Sequence, residues 1–205
     1  MTPVLVALGT WATLWQVAVG ADAAARAAYA FGVVPAVLTF RARLPAELEV
    51  VPAPLTLLTA LLPEAGVVTA CAGLLVLALF GPHVERALGW RRFIAFYLGC
   101  GVLAMLAEVL AAPAGRFPLL GAGGAVSGVV TASLVLLPRG PGVAALPLAA
   151  AWLGFAALGN PGSAVLRPGL GWPACAGGLL GGLILVLFLK RREVPLLAGG
   201  GSPRR

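Results

Sequence analysis

The feature that most constrains this chain is the length of its uncharged runs. Residues 93–112 contain one charged side chain, Glu108, and residues 172–189 contain none. A helix that crosses the hydrocarbon core of a bilayer needs roughly 20 mostly apolar residues. Reading for such stretches gives six expected spans, near 3–20, 64–80, 93–112, 121–137, 143–159 and 172–190. Glycine and proline punctuate their ends, as at Pro63, Gly81-Pro82, Pro113, Pro138 and Pro173. The second, fourth and fifth are short, which suits helices shielded by neighbours rather than by lipid. Charged residues make up 10% of the chain, against about 25% in a soluble domain. The expected class is therefore an all-α integral membrane protein with six transmembrane helices.

Residues 21–63 break this pattern. They hold Asp22, Glu47 and Glu49, three arginines (Arg26, Arg41, Arg43) and five prolines. They read as a long connection with short helices of its own, lying at the membrane interface. The first apolar run is followed by Ala21-Asp22-Ala23, a faint signal-peptidase pattern. Met1-Thr2-Pro3 carries no basic residue, so a retained first helix is expected. Residues 1–192 are expected to form one membrane domain, and 193–205 a flexible basic tail near anionic lipid.

The formal charge of +7 follows the distribution expected of cytoplasmic loops. With the amino terminus inside, nine Lys and Arg residues fall on the inner side and five on the outer. Three of those five lie in the long first loop, where charge influences orientation least. Both termini are expected in the cytoplasm. The preference for arginine over lysine, with abundant Ala, Gly and Leu, points to a bacterial plasma (inner) membrane. Basic residues are not interleaved with aromatics, so the expected partner is the lipid bilayer and not nucleic acid. Cys71, Cys100 and Cys175 lack paired spacing and read as small buried packing residues, with no metal or cofactor expected. Trp11, Trp15, Trp90, Trp152 and Trp172 read as interface-belt and packing residues.

Four local sequences stand in an order and spacing similar to the rhomboid family of intramembrane serine proteases. Tyr29–Ala36 resembles the segment after the first helix of bacterial members, and Phe80–Gly89 the turn after the second. Arg92–Gly101 resembles the start of the third helix, and Gly121–Gly128 the start of the fourth. The resemblance covers roughly residues 3–190. It implies a six-helix rhomboid-like bundle with a long interfacial loop between the first two helices, and a family activity of serine endopeptidase.

Carried over residue by residue, the resemblance implies a degenerate site. The family nucleophile is the serine of a Gly-x-Ser-Gly turn, and in Gly121-Ala122-Gly123-Gly124 its place falls on Gly123. The family base is a histidine ahead of a small-residue run on the last helix. Setting that run on Ala176-Gly177-Gly178 puts Cys175 in its place. The histidine and asparagine that help hold the oxyanion fall on Thr69 and Gly73, counted back from Phe80-Gly81.

The residue inventory leads the same way without that alignment. Attack by a hydroxyl on an amide needs a base that takes the proton and returns it to the leaving group. The single histidine, His83, is expected in the cytoplasmic loop after the second helix. The single lysine, Lys190, ends the last helix on the same side, and Asp22 is the single aspartate. Neither a serine–lysine dyad, a paired-aspartate site nor a zinc cluster can be assembled. Ser127 lies one turn beyond Gly123, which makes it a functional candidate, but with no base near it, it reads as a packing or backbone-bonding serine. Cys175 keeps a thiol, which is inert in apolar surroundings.

The glycines have a second use. Gly124 with Gly128, Gly177 with Gly181 and Gly178 with Gly182 form small-xxx-small pairs on the fourth and sixth helices, the spacing that lets helices approach closely in lipid. Glu108 is the one charged residue well inside an expected span and a functional candidate, with Arg116 as a nearby partner. The expectation is a rhomboid-like pseudoprotease that binds transmembrane segments of client proteins without cutting them. The alternatives are an active protease with a divergent site, and a structural or transport-related membrane subunit.

Overall fold

The computed structural model describes residues 1–45, 47–64, 66–136, 146–157 and 171–189. The described residues form helices α1 (Thr2–Val19), α2 (Ala21–Phe31), α3 (Pro35–Leu38), α4 (Ala53–Thr59), α5 (Val67–Leu88), α6 (Trp90–Ala111), α7 (Gly123–Val135), α8 (Leu146–Ala157) and α9 (Gly171–Leu189). Four of them, α1, α5, α6 and α9, are long and apolar enough to cross a membrane. The apolar helices α7 and α8 are shorter. The residues around 137–145 and 158–170, and the tail at 193–205 with Lys190, lie outside the described residues.

The single-residue breaks explain how the long helices turn back on one another. Gly89 separates α5 from α6 with a φ of 84°, a left-handed conformation that other residues reach only at a cost. Its N–H closes on the Glu85 carbonyl. Thr2 donates both its N–H and its hydroxyl to the Glu85 carboxylate at 2.7 Å, which ties the start of α1 to the end of α5. Arg92, at the start of α6, donates to the Leu189 carbonyl at 3.2 Å. The start of α1, the ends of α5 and α9 and the start of α6 therefore share one end of the bundle.

The sequence reading ends the second span before His83, and the structure corrects this. Helix α5 continues through Pro82 to Leu88. Proline removes one backbone donor from the helix interior, yet Val84, Ala87 and Leu88 beyond it are buried. Burial of that apolar face outweighs the lost bond. His83 thus sits on the helix, with Nδ1 at 3.0 Å from the Leu79 carbonyl, and Glu85 also joins a long apolar helix.

Helix α7 is the centre of the bundle. Residues Gly124–Val130, Ala132 and Ser133 are all buried, packed against Phe80 and Leu77 of α5, Phe93 and Phe96 of α6, Trp152 of α8 and Val186 of α9. A helix screened on all sides by protein need not match the thickness of lipid, which accounts for its length. The segment between α1 and α5 wraps the other end of the bundle. Val33 and Leu119 exchange backbone bonds at 3.0 and 2.7 Å, and Ala36 N–H bonds the Gly115 carbonyl at 2.8 Å. These bonds seat the connection on the approach to α7.

Candidate functional site

The site is built where the N-terminus of α7 meets α9, α8 and α5. Glycine makes the meeting of α7 and α9 possible. A Cβ placed on Gly178 would collide with the Gly124 carbonyl, and one on Gly182 would lie 2.5 Å from the Gly128 oxygen. Gly128 itself faces the Cys100 sulfur and the Gly178 carbonyl. On the other flank of α9, a Cβ on Gly177 would lie 2.8 Å from the Leu103 carbonyl of α6, and one on Gly181 2.9 Å from the Leu103 side chain. Backbone thus lies against backbone along α7 and α9, as small residues allow in a membrane.

Gly123 stands at the first position of α7, and a Cβ added there meets nothing within 4 Å among the described residues. One turn further, the buried Ser127 hydroxyl donates to the Gly123 carbonyl at 2.9 Å. It accepts from the Trp152 indole N–H at 3.2 Å and lies 3.7 Å from the Cys175 sulfur. Its proton is directed at a main-chain carbonyl, and the neighbouring thiol offers no base of the kind that activates a serine. The Trp152 ring is 3% exposed. Its Cη2 would be 3.4 Å from a Cβ on Gly73, so the indole fills space that a side chain at Gly73 would need. Thr69, one turn away on α5, has a buried hydroxyl with no partner among the described residues.

Gly123, Cys175 and Gly73 are therefore brought together through Ser127 and Trp152. His83 is not among them. It lies fourteen residues along α5 from Thr69, about 21 Å at 1.5 Å per residue, at the opposite end of the bundle.

Two further sequence expectations are corrected. Cys71 is exposed on α5, while Cys100 and Cys175 are buried and all three thiols are free; the apolar run did not reveal which face of α5 turns outward. Glu108 is buried near the end of α6 and accepts a 3.4 Å bond from the Ala174 N–H of α9. Arg116 is exposed, and no ion pair joins it to Glu108 among the described residues. No group of three or more metal-ligating side chains occurs among the described residues.

One functional group went unnoticed in the sequence. Glu64 precedes α5, and its Oε1 accepts the Ala122 N–H at 3.0 Å, beside Gly123. Apolar surroundings push its pKa up to about 7, against the lowering effect of that bond. The signal available in the sequence was a lone carboxylate at the start of an apolar run.

Helix order, the packed meeting of α7 and α9, and the Gly121–Gly124 turn can now be set beside known proteins. Residues 51–192 match the Rhomboid domain. The chain belongs to the rhomboid family. No curated protein and no solved structure matches it. It is a rhomboid-like, multi-pass membrane protein that contacts lipid, and the matched segment runs from just before α4 to just beyond α9.

Proposed function

We propose that this rhomboid-family protein does not cleave peptide bonds and instead binds transmembrane segments of client proteins. What carries the reading is that the family resemblance sets Gly123 at the nucleophile's place, while the buried hydroxyl one turn on, Ser127, meets the Cys175 thiol of α9 at 3.7 Å and no histidine. The hydrogen bonds of Ser127 support it, because the hydroxyl is held between the Gly123 carbonyl and the Trp152 indole. The glycine contacts of α7 and α9 support retention of the family scaffold after its reactive groups were replaced. On this reading Gly124, Gly128, Gly177, Gly178, Gly181 and Gly182 serve helix packing, and Thr69 and Gly73 are vestiges of the oxyanion site. The short helices α7 and α8 complete six crossings, with both termini on the cytoplasmic face of the plasma membrane.

The experiment combines capture with a test for cleavage. A photo-crosslinking residue replaces Gly123, where a side chain has open space, and crosslinked partners are recovered from native membranes. The reading expects full-length membrane proteins captured through their transmembrane segments. Truncated partners that accumulate only with the wild-type chain would identify an active protease.

A further inference from the structure

Helix α3 ends in a turn that glycine ordinarily closes. The Phe40 N–H donates to the Val37 carbonyl at 3.0 Å, and the Arg41 and Ala42 N–H groups both reach the Ala36 carbonyl, at 2.7 and 2.9 Å. This bond pattern ends a helix on one left-handed residue. Here that residue is Phe40, with a φ of 57°. A residue with a Cβ adopts this conformation at a cost, and Phe40 is the one non-glycine with a positive φ among the described residues. No contact within the chain offsets that cost, because the residue is 93% exposed.

The fold fixes the height at which this ring stands. Thr39 Oγ1 donates to the Pro113 carbonyl at 2.7 Å, and the Ala36 N–H donates to the Gly115 carbonyl at 2.8 Å. Both acceptors follow closely on α6, whose 22 residues span about 33 Å at 1.5 Å each, a little more than the hydrocarbon core of a bilayer. The turn therefore sits where acyl chains give way to headgroups. Its surroundings suit that level. Leu110, in the last turn of α6, is 81% exposed, and Phe117 is exposed beyond it. Arg41 and Arg43 follow the ring, and Arg116 follows Gly115. All three arginines are exposed, and none makes an ion pair among the described residues.

We propose that Phe40 is a membrane anchor, its ring entering the bilayer at the border of acyl chains and headgroups while Arg41, Arg43 and Arg116 contact phospholipid phosphates. An apolar ring gains by leaving water at that level, and long arginine side chains reach outward from it to phosphate oxygens. Strain and exposure at one residue then share one cause: the left-handed turn holds the ring away from the bundle and in lipid. A ring bordered by three unpaired guanidiniums, level with the end of a membrane-crossing helix, fits a phospholipid surface. The exposed acids of the same connection, Glu47 and Glu49, come later, beyond Pro45. The anchor is made by this connection alone, so it holds whether or not a client binds.

A nitroxide on the full chain, in nanodiscs of phosphatidylcholine and phosphatidylglycerol, reads the depth of this residue. The label is attached at Phe40→Cys in a Cys71→Ser chain, since Cys71 is the exposed thiol and Cys100 and Cys175 are buried. The exposed position leaves packing untouched. Leu110→Cys in the same background is the lipid reference, and free nitroxide in buffer is the water reference. At position 40 the label is expected to lose most of its collisions with an aqueous nickel chelate, while its collisions with oxygen approach those at Leu110→Cys. Nickel collisions equal to those of free nitroxide place the ring in water and overturn the anchor. Loss of collisions with both quenchers places it against protein and overturns it as well. In the Arg41→Glu/Arg43→Glu/Arg116→Glu variant, nickel collisions are expected to return toward the water value; a label at unchanged depth overturns the phosphate contacts.

Discussion

The contact between α7 and α9 permits a graded prediction with glycine as the probe. In Gly182→Ala the new Cβ lies 2.5 Å from the Gly128 oxygen. An ordinary contact begins at 3.4 Å, so the helices must part by about 0.9 Å there. The opposing atoms are backbone, and no side chain can rotate out of the way. Gly178→Ala is more severe, because its Cβ meets the Gly124 carbonyl. Overpacking of a well-packed interior costs about 1–3 kcal/mol, and both variants belong at the upper end. Gly154→Ala on α8 is the control, since nothing lies within 4 Å of its Cβ among the described residues. There the gain in helix propensity is expected to leave stability unchanged or raise it by about 0.5–1 kcal/mol. Reversible unfolding of the purified full chain in mixed micelles measures all three. If Gly178→Ala and Gly182→Ala unfold at the same point as Gly154→Ala, the close approach of α7 and α9 is wrong.

Other consequences are more local. Ser127→Ala removes the acceptor of the buried Trp152 N–H, a loss expected to cost about 1–3 kcal/mol in the same unfolding assay; a neutral result would remove Ser127 from the packing account. Gly121→Ala combines a left-handed φ with a 2.9 Å approach to Glu64, and about 1–3 kcal/mol of destabilisation is expected, visible as a lower unfolding midpoint. Glu64 also gives stability a pH dependence of defined sign. Its folded pKa of about 7 lies above the ordinary 4.5, so the folded state binds more protons between those values. Stability present below about pH 4.5 is then lost as pH rises through about 7, by up to roughly 3 kcal/mol. In Glu64→Gln that slope should vanish from unfolding curves recorded across the interval.

The parts legible in the sequence were those governed by local patterns. Uncharged runs located α1, α6 and α9, and the prolines and charges of residues 21–63 announced a connection with short helices. Helix α5 was misjudged at Gly81-Pro82 because the punctuation is local, whereas burial of Val84, Ala87 and Leu88 depends on what packs there. The same limit hid Glu64. Its partner Ala122 is 58 residues away, and no periodicity links a carboxylate before one helix to an amide at the head of another. Trp152 read as a packing residue, and it is one, but its N–H also reaches Ser127 across 25 residues. The family resemblance alone set the nucleophile, base and oxyanion positions on Gly123, Cys175, Thr69 and Gly73. That Ser127 bonds the Gly123 carbonyl and lies beside the Cys175 sulfur needed the fold.

The central claim is that the chain lacks a working nucleophile, and labelling with a fluorophosphonate probe tests it most directly. The purified wild-type protein in lipid is exposed to the probe beside an active rhomboid protease and the Gly123→Ser/Cys175→His double variant. Absence of wild-type labelling, under conditions where the active protease is fully modified, is the predicted result. Wild-type labelling that disappears in Ser127→Ala would contradict it and place a live serine one turn below Gly123.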